Sequence, residues 1–257
     1  MHIQERVLKL ALTTGRILLT NGAETYRVED TVKRMIESRG MKHVNVFVIP
    51  TGIFVSTFDK DQNFSLLERV SPSGIDLEVI DRTNDLSRKF TSSDMTIDHA
   101  EEALNNILKT PTYGKWLRYF FSGMAGGFFV FLFGGNFNEF VIAYLASFLT
   151  VIIYEKLTYY ELNFFIKNIL SGSFVALTGL LFIKLATLFQ LDAHLNYMII
   201  GPLMTLVPGV TLTNGIRDLI SGELLSGSAK IMEALFIAIA LAFGVGIILQ
   251  LGVNWLS

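Results

Sequence analysis

The 257-residue chain contains no cysteine, five prolines and four histidines. Without cysteine, neither a disulfide nor a thiolate metal site can form. His2, His43, His99 and His194 show no metal-ligand spacing. There is no Walker A sequence, which excludes P-loop nucleotide hydrolysis by this chain, and no G-x-S-x-G elbow. No cofactor is expected. Charge is also scarce: 17% of residues are charged, against about 25% in soluble domains. The scarcity is one-sided. Residues 1–118 carry 16 Lys+Arg and 16 Asp+Glu, and residues 119–257 carry 5 and 7. A lipid solvent accounts for this, because a charge in hydrocarbon costs several kcal/mol. With a net charge of −2, nothing suggests a nucleic-acid partner. The start of the chain, Met1-His2-Ile3-Gln4-Glu5-Arg6, is polar and has no signal-peptide apolar core.

What is present is apolar and periodic. Hydrophobic residues make up 51% of the chain. Val7, Leu8, Leu10, Ala11, Ile17 and Leu18 recur at helical spacing over residues 3–20. Asn21-Gly22-Ala23-Glu24 has the form of a capping box, with Asn21 as N-cap and Glu24 as its partner, before a second helix that runs to about Arg39. Gly40 suits the C-cap of that helix. Three strands follow, over Val44–Val48, Ile53–Phe58 and Phe64–Val70. They are separated by the Pro50-Thr51-Gly52 break and a turn at Asp59–Asn63. Helical spacing returns over residues 76–108. The expected fold is an α-helical polytopic membrane protein with an N-terminal cytoplasmic α+β domain, α-β-β-β-α, at residues 1–110. Pro111-Thr112-Tyr113-Gly114 ends it, and a transmembrane domain fills residues 111–257.

That second half divides into five apolar stretches, at about 116–134, 138–155, 164–188, 195–210 and 229–251, each near the roughly 20 residues that span a bilayer. Trp116, Tyr119, Tyr154, Tyr159, Tyr160, Tyr197 and Trp255 lie at their edges as interface anchors. Gly123 and Gly127 form a GxxxG close-packing signal. Lys109, Lys115 and Arg118 precede the first stretch. Lys156 and Lys167 flank the turn after the second, and Arg217 and Lys230 lie between the fourth and fifth. The remaining turns carry no basic residue. By the positive-inside rule the N-terminus is cytoplasmic and the C-terminus is outside.

The fourth stretch is unusual. It contains Pro202 and Pro208 and ends in Gly209-Val210-Thr211-Leu212-Thr213-Asn214-Gly215-Ile216-Arg217-Asp218. Each proline removes a helical hydrogen bond. Freed backbone groups persist at membrane depth only inside protein or along a wet cavity. Broken helices of this kind build transporter sites. One reading therefore makes Thr211, Thr213, Asn214 and Arg217 a substrate site. Arg217 would hold a carboxylate, and Pro202, Pro208 and Gly209 would be the helix break. The other reading is a kinked span and an ordinary solvated loop. Asp218 is a candidate proton carrier, and so is Glu233, for which the plain reading is an i,i+3 partner of Lys230. Lys184 reads as a snorkelling lysine, and Glu24 as a capping residue.

Taken together, several motifs resemble the threonine/serine exporter family over nearly the whole chain. They are Asn21-Gly22-Ala23-Glu24-Thr25-Tyr26-Arg27-Val28-Glu29, Pro50-Thr51-Gly52, Val207-Pro208-Gly209 through Asn214-Gly215-Ile216-Arg217-Asp218, Ser226-Gly227 and Glu233-Ala234. The resemblance implies a proton-coupled secondary transporter for small amino acids such as threonine and serine, or for dicarboxylates such as succinate. Some members are single long chains and others are split into two proteins, and this chain resembles the larger subunit of the split form. The implied partner is a second small membrane subunit of about four or five spans, related by inverted topology. The rival expectations are a membrane-anchored hydrolase and a non-transporting regulatory subunit.

Overall fold

The computed structural model describes residues 3–59, 62–71, 74–109, 113–160 and 162–256. His2, the tip of the turn expected at Asp59–Asn63 and the Pro111-Thr112 junction lie outside the described residues, as does the side chain of Trp255. The chain forms two compact units, Met1–Pro111 with Val210–Met232, and Thr112–Gly209 with Glu233–Ser257.

In the first unit, α1 (Ile3–Thr20) and α2 (Thr25–Glu37) form a hairpin. Val7, Leu8, Ala11 and Leu18 of α1 and Val28, Val32, Met35 and Ile36 of α2 are buried at helical spacing. The two helices meet at Gly15, where a Cβ would come within 2.6 Å of the Val32 side chain. An antiparallel sheet follows in the order β1-β2-β3, formed by β1 (Asn45–Ile49), β2 (Gly52–Asp59) and β3 (Gln62–Arg69). Val48 pairs with Ile53, and Val55 with Leu66. The period of two puts Val48, Ile53 and Val55 on the core face and leaves Phe47, Phe54 and Leu67 exposed on the other.

The helical spacing over residues 76–108 resolves into two helices, α3 (Leu77–Ser92) and α4 (Ile97–Lys109). The physical reason is local. Ser93 is fully extended (φ −138°, ψ 171°), which ends α3. The Thr96 hydroxyl then accepts from the His99 amide at 3.3 Å, which opens α4. Asp76 caps α3 by accepting from the amides of Glu78 and Val79. Arg6 reaches from α1 to Asp98 and Glu101 of α4.

The second unit holds α5 (Lys115–Leu132), α6 (Phe137–Tyr159), α7 (Phe164–Leu188), α8 (Leu195–Met204) and most of α10 (Leu224–Leu256). Among the described residues, three helices are long and apolar enough to cross a membrane: Phe137–Tyr159, Phe164–Leu188 and Leu224–Gly252. A fourth crossing is available if α8 and α9 (Gly209–Ile220) count as one broken span. In the 18 residues of α5, Lys115 and Arg118 dilute the apolar run.

Small residues set the helix contacts here. Gly123 and Gly127 of α5 face Tyr144 and Phe140 of α6. At the α7–α10 crossing, a Cβ on Gly172 would lie 2.4 Å from the Leu241 carbonyl, and one on Gly244 would lie 2.1 Å from that of Ile169. The Ser173 hydroxyl donates to the Gly244 carbonyl across the same crossing.

Candidate functional site

The sequence marks α9 as the chemical segment, and the structure places it within the first unit. Pro202 lies inside α8, Pro208 lies in the break, and Gly209 is the first residue of α9. Having no amide hydrogen, Pro208 cannot serve the carbonyl four residues back, so the helix stops and restarts. The restarted helix turns Asn214, Arg217 and Asp218 toward the α1–α2 turn. The Asn214 amide donates to the Gly22 carbonyl at 2.9 Å. Gly22 sits at φ +90°, in the left-handed region that glycine tolerates. The Arg217 guanidinium donates to Glu24 at 2.8 Å. Asp218 is fully buried; it accepts from the Thr25 amide at 3.2 Å and from the Lys230 ammonium at 2.8 Å.

Each contact has a local cause. Thr25 is the first residue of α2, so its amide has no partner within the helix and is part of the positive end of the helix dipole. A carboxylate there is favoured on both counts. Lys230 also approaches the Ala23 carbonyl, at 3.5 Å. Gly215 and Gly227 let α9 and the start of α10 approach closely enough for Lys230 to reach Asp218; a Cβ on Gly227 would lie 2.7 Å from the Gly215 carbonyl.

The expected capping box is not formed. α1 continues to Thr20, so Asn21 falls at its C-terminal end and its side chain donates back to the Ile17 carbonyl at 2.7 Å. α2 starts only at Thr25. Glu24 occupies its N-cap position but makes no capping hydrogen bond. Its side chain, 8% exposed, pairs with Arg217 and Arg27. Burial pushes this carboxyl upward, but the hydrogen bond from Arg217 and the charge of Arg27 outweigh it and hold it below the usual carboxylate range.

Of the other sequence candidates, Thr211 is half-buried and Thr213 donates to the Val210 carbonyl on an exposed face. Glu233 falls in the second unit, on an exposed face of α10. Among the described residues, no group of three His, Asp or Glu side chains could hold a metal.

Arg217 on the restarted helix thus pairs with Glu24 at the start of α2, beside the buried Asp218–Lys230 pair. Comparison with known proteins gives the family. The family described as "Putative threonine/serine exporter" matches residues 9–252. The chain belongs to this family. Members are transporters and not enzymes. The "Threonine/serine exporter" of Corynebacterium glutamicum is 25% identical over 252 residues, covering 95% of this chain and 51% of that protein. The "Probable succinate transporter subunit YjjP" of Klebsiella aerogenes is 24% identical over 244 residues, covering 94% of this chain and 92% of that one. The "Probable threonine/serine exporter" of Mycobacterium tuberculosis is 22% identical over 257 residues, covering 95% and 46%. The chain thus spans about half the length of the two named exporters. No solved structure matches. Family membership and the apolar helices make this a multi-pass protein of the inner-membrane type.

Within this exporter-family chain, sequence reasoning missed the partners of the candidate residues. Lys230 as the counter-ion of Asp218 left no signal, since 12 residues separate the two across a helix break. In the second unit, Glu139 is 1% exposed at the start of α6. It forms a capping box with Asn136, a signal that Asn136-x-x-Glu139 offers in plain sight. It also accepts from the backbone amide and the Nδ1 of His194, both at 2.7 Å.

Proposed function

We propose that this chain is the larger subunit of a proton-coupled exporter for small amino acids, with its N-terminus in the cytoplasm, five membrane crossings and a second small membrane subunit as partner. The cytoplasmic α+β domain would be residues 1–110 and the transmembrane domain residues 111–257. α5, α6, α7, the broken α8–α9 pair and α10 supply the crossings. An odd number suits a partner inserted in the opposite sense.

The observation that carries this reading is the Arg217–Glu24 pair. It holds one positive and one negative group 2.8 Å apart, with the Arg217 side chain 64% exposed. A free amino acid carries the same two charges. Its carboxylate displaces Glu24 from Arg217 in a bidentate pair, and its ammonium takes Glu24. Asn214 adds a side-chain amide beside them. Thr211 and Thr213 stand on the same helix as further polar contacts for a hydroxyl-bearing side chain. Asp218, held by Lys230, and Glu233 are the carboxylates proposed to take the coupling proton. The dicarboxylate reading is supported by the likeness to the succinate transporter subunit, but Glu24 beside Arg217 opposes a second carboxylate at this position.

The test is flux in proteoliposomes containing the chain with and without the small partner subunit. Labelled threonine, serine and succinate would be followed with and without a pH gradient. The expected result is gradient-driven, partner-dependent efflux of threonine or serine, reduced at least tenfold by Arg217→Ala and by Glu24→Gln. Efflux that ignores both substitutions in a folded complex would leave the chain a non-transporting regulatory subunit. Turnover of a substrate by the chain without net transport would make it a membrane-anchored hydrolase.

A further inference from the structure

The second unit contains a groove that the transport reading does not use. It has a volume of about 610 Å3 and lies where the first turn of α5 meets the last turns of α6 and the end of α8. Its charged lining is Lys115, Arg118 and Glu155, with Thr158 and Thr205 as further polar groups, and Val151 and Leu206 are its aliphatic lining. The walls are chemically prepared. The Tyr119 hydroxyl donates to one Glu155 oxygen at 2.6 Å, and Arg118 ion-pairs with the other. Tyr119 and Arg118 therefore hold the Glu155 side chain at the groove edge, and Lys115 lines the same groove.

The surroundings identify the depth. Trp116, Tyr159 and Tyr160 are exposed around this end of α5 and α6. Exposed Trp and Tyr with flanking Lys and Arg are the residues that settle at the headgroup level of a bilayer. The groove is larger than a free serine or threonine fills, and most of its wall is apolar. A ligand that suits it has a charged head at the polar wall and a hydrocarbon tail along Val151 and Leu206. The head must satisfy both signs. A phosphate matches Lys115 and Arg118, and a primary ammonium, with three donors, matches Glu155.

We propose that this groove binds the headgroup of an aminophospholipid, a lipid that carries both a phosphate and a primary ammonium. The phosphate sits between Lys115 and Arg118, the ammonium donates to Glu155, and the glycerol and acyl chain lie on Val151 and Leu206. A choline headgroup has the phosphate but no N–H to give Glu155. A glycerol headgroup has no cation at all.

The experiment is native mass spectrometry of the detergent-solubilised full chain. It is equilibrated with an equimolar mixture of phosphatidylethanolamine, phosphatidylcholine and phosphatidylglycerol of matched acyl chains. Wild type is expected to retain phosphatidylethanolamine several-fold over the other two. Glu155→Gln is expected to abolish the preference over phosphatidylcholine while keeping phosphate-dependent retention. Lys115→Gln with Arg118→Gln is expected to lower retention of all three. Equal retention of ethanolamine and choline lipids by the wild type overturns the proposal without reference to any variant. Preference for phosphatidylglycerol overturns it too, as does a preference unchanged in Glu155→Gln. Displacement of the bound lipid by free threonine would assign the groove to a solute and overturn it as well. None of these readouts involves flux, so the result stands apart from the transport test.

Discussion

Asp218 has no solvent exposure and depends on two donors, the Lys230 ammonium and the Thr25 amide. Lys230 is itself only 11% exposed. Removing one member of such a pair strands the other charge away from water, which costs about 3–5 kcal/mol, whereas replacing both with apolar groups is often neutral or stabilising. Asp218→Asn is therefore expected to lower the thermal midpoint of the purified chain sharply. Asp218→Leu with Lys230→Met is expected to recover most of the loss. If the double variant melts no higher than Asp218→Asn, the pair is not the source of the stability. The Glu139–His194 contact gives a pH signature of the opposite kind to a carboxylate pair. The hydrogen bond from His194 to Glu139 and the Glu139 charge, with Asp192 adding to them, raise the imidazole above its usual value against a small opposing burial effect. Tyr197 packs edge-on to the same ring. A raised folded-state value means that the stabilisation is fully present below the unfolded value of about 6.5 and fades as pH rises through the raised one. The melting difference between wild type and His194→Gln should be largest at acid pH and shrink on the alkaline side. A difference independent of pH would remove the imidazolium from the account.

At the scale of elements, the helix crossings in the second unit are set by glycine backbones, and two glycines of α10 make a matched test. A Cβ at Gly244 meets the Ile169 carbonyl at 2.1 Å and the Ser173 amide at 2.8 Å, both backbone groups that cannot rotate away. A Cβ at Gly246 meets nothing within 4 Å. Gly244→Ala should force α7 and α10 apart and cost about 1–3 kcal/mol. Gly246→Ala should be neutral or stabilise by up to about 1 kcal/mol, since alanine loses less freedom in a helix. Equal effects in thermal unfolding would refute the close-crossing argument. Some of these elements were legible in the sequence. The apolar periodicity of α1, the alternation of β1 and the proline break before α9 all follow from side-chain spacing. The boundary of α2 was not legible, because Asn21-Gly22-Ala23-Glu24 has the spacing of a capping box while Glu24 is drawn off by Arg217, 193 residues away. Nor was the split between α3 and α4, which turns on one extended serine in a run that otherwise keeps helical spacing.

For the whole molecule, hydropathy divides the chain near residue 110, and contacts divide it differently. Val210–Met232 follows an apolar stretch, yet it forms one compact unit with Met1–Pro111. The polar run expected to hold a substrate site, Thr211, Thr213, Asn214 and Arg217, with Asp218 as a candidate proton carrier, was visible as a pattern. The partners of Asn214, Arg217 and Asp218 were not, because pairing across more than 190 residues, or for Lys230 across a helix break, leaves no local trace. The orientation of the chain is argued from its basic residues alone and can be tested cleanly, because the sequence contains no cysteine. Any single introduced thiol is therefore the sole target of a maleimide. Ser93 is exposed between α3 and α4, and Phe189 is exposed just after α7. With the N-terminus inside, Ser93→Cys lies in the cytoplasm. Phe189→Cys lies outside, because Lys156 and Lys167 hold the preceding turn on the cytoplasmic face. A membrane-impermeant maleimide should then label Phe189→Cys in intact cells and Ser93→Cys only after permeabilisation. The reverse pattern would invert the chain and place the Arg217–Glu24 pair on the far side of the membrane from the pool an exporter must draw on.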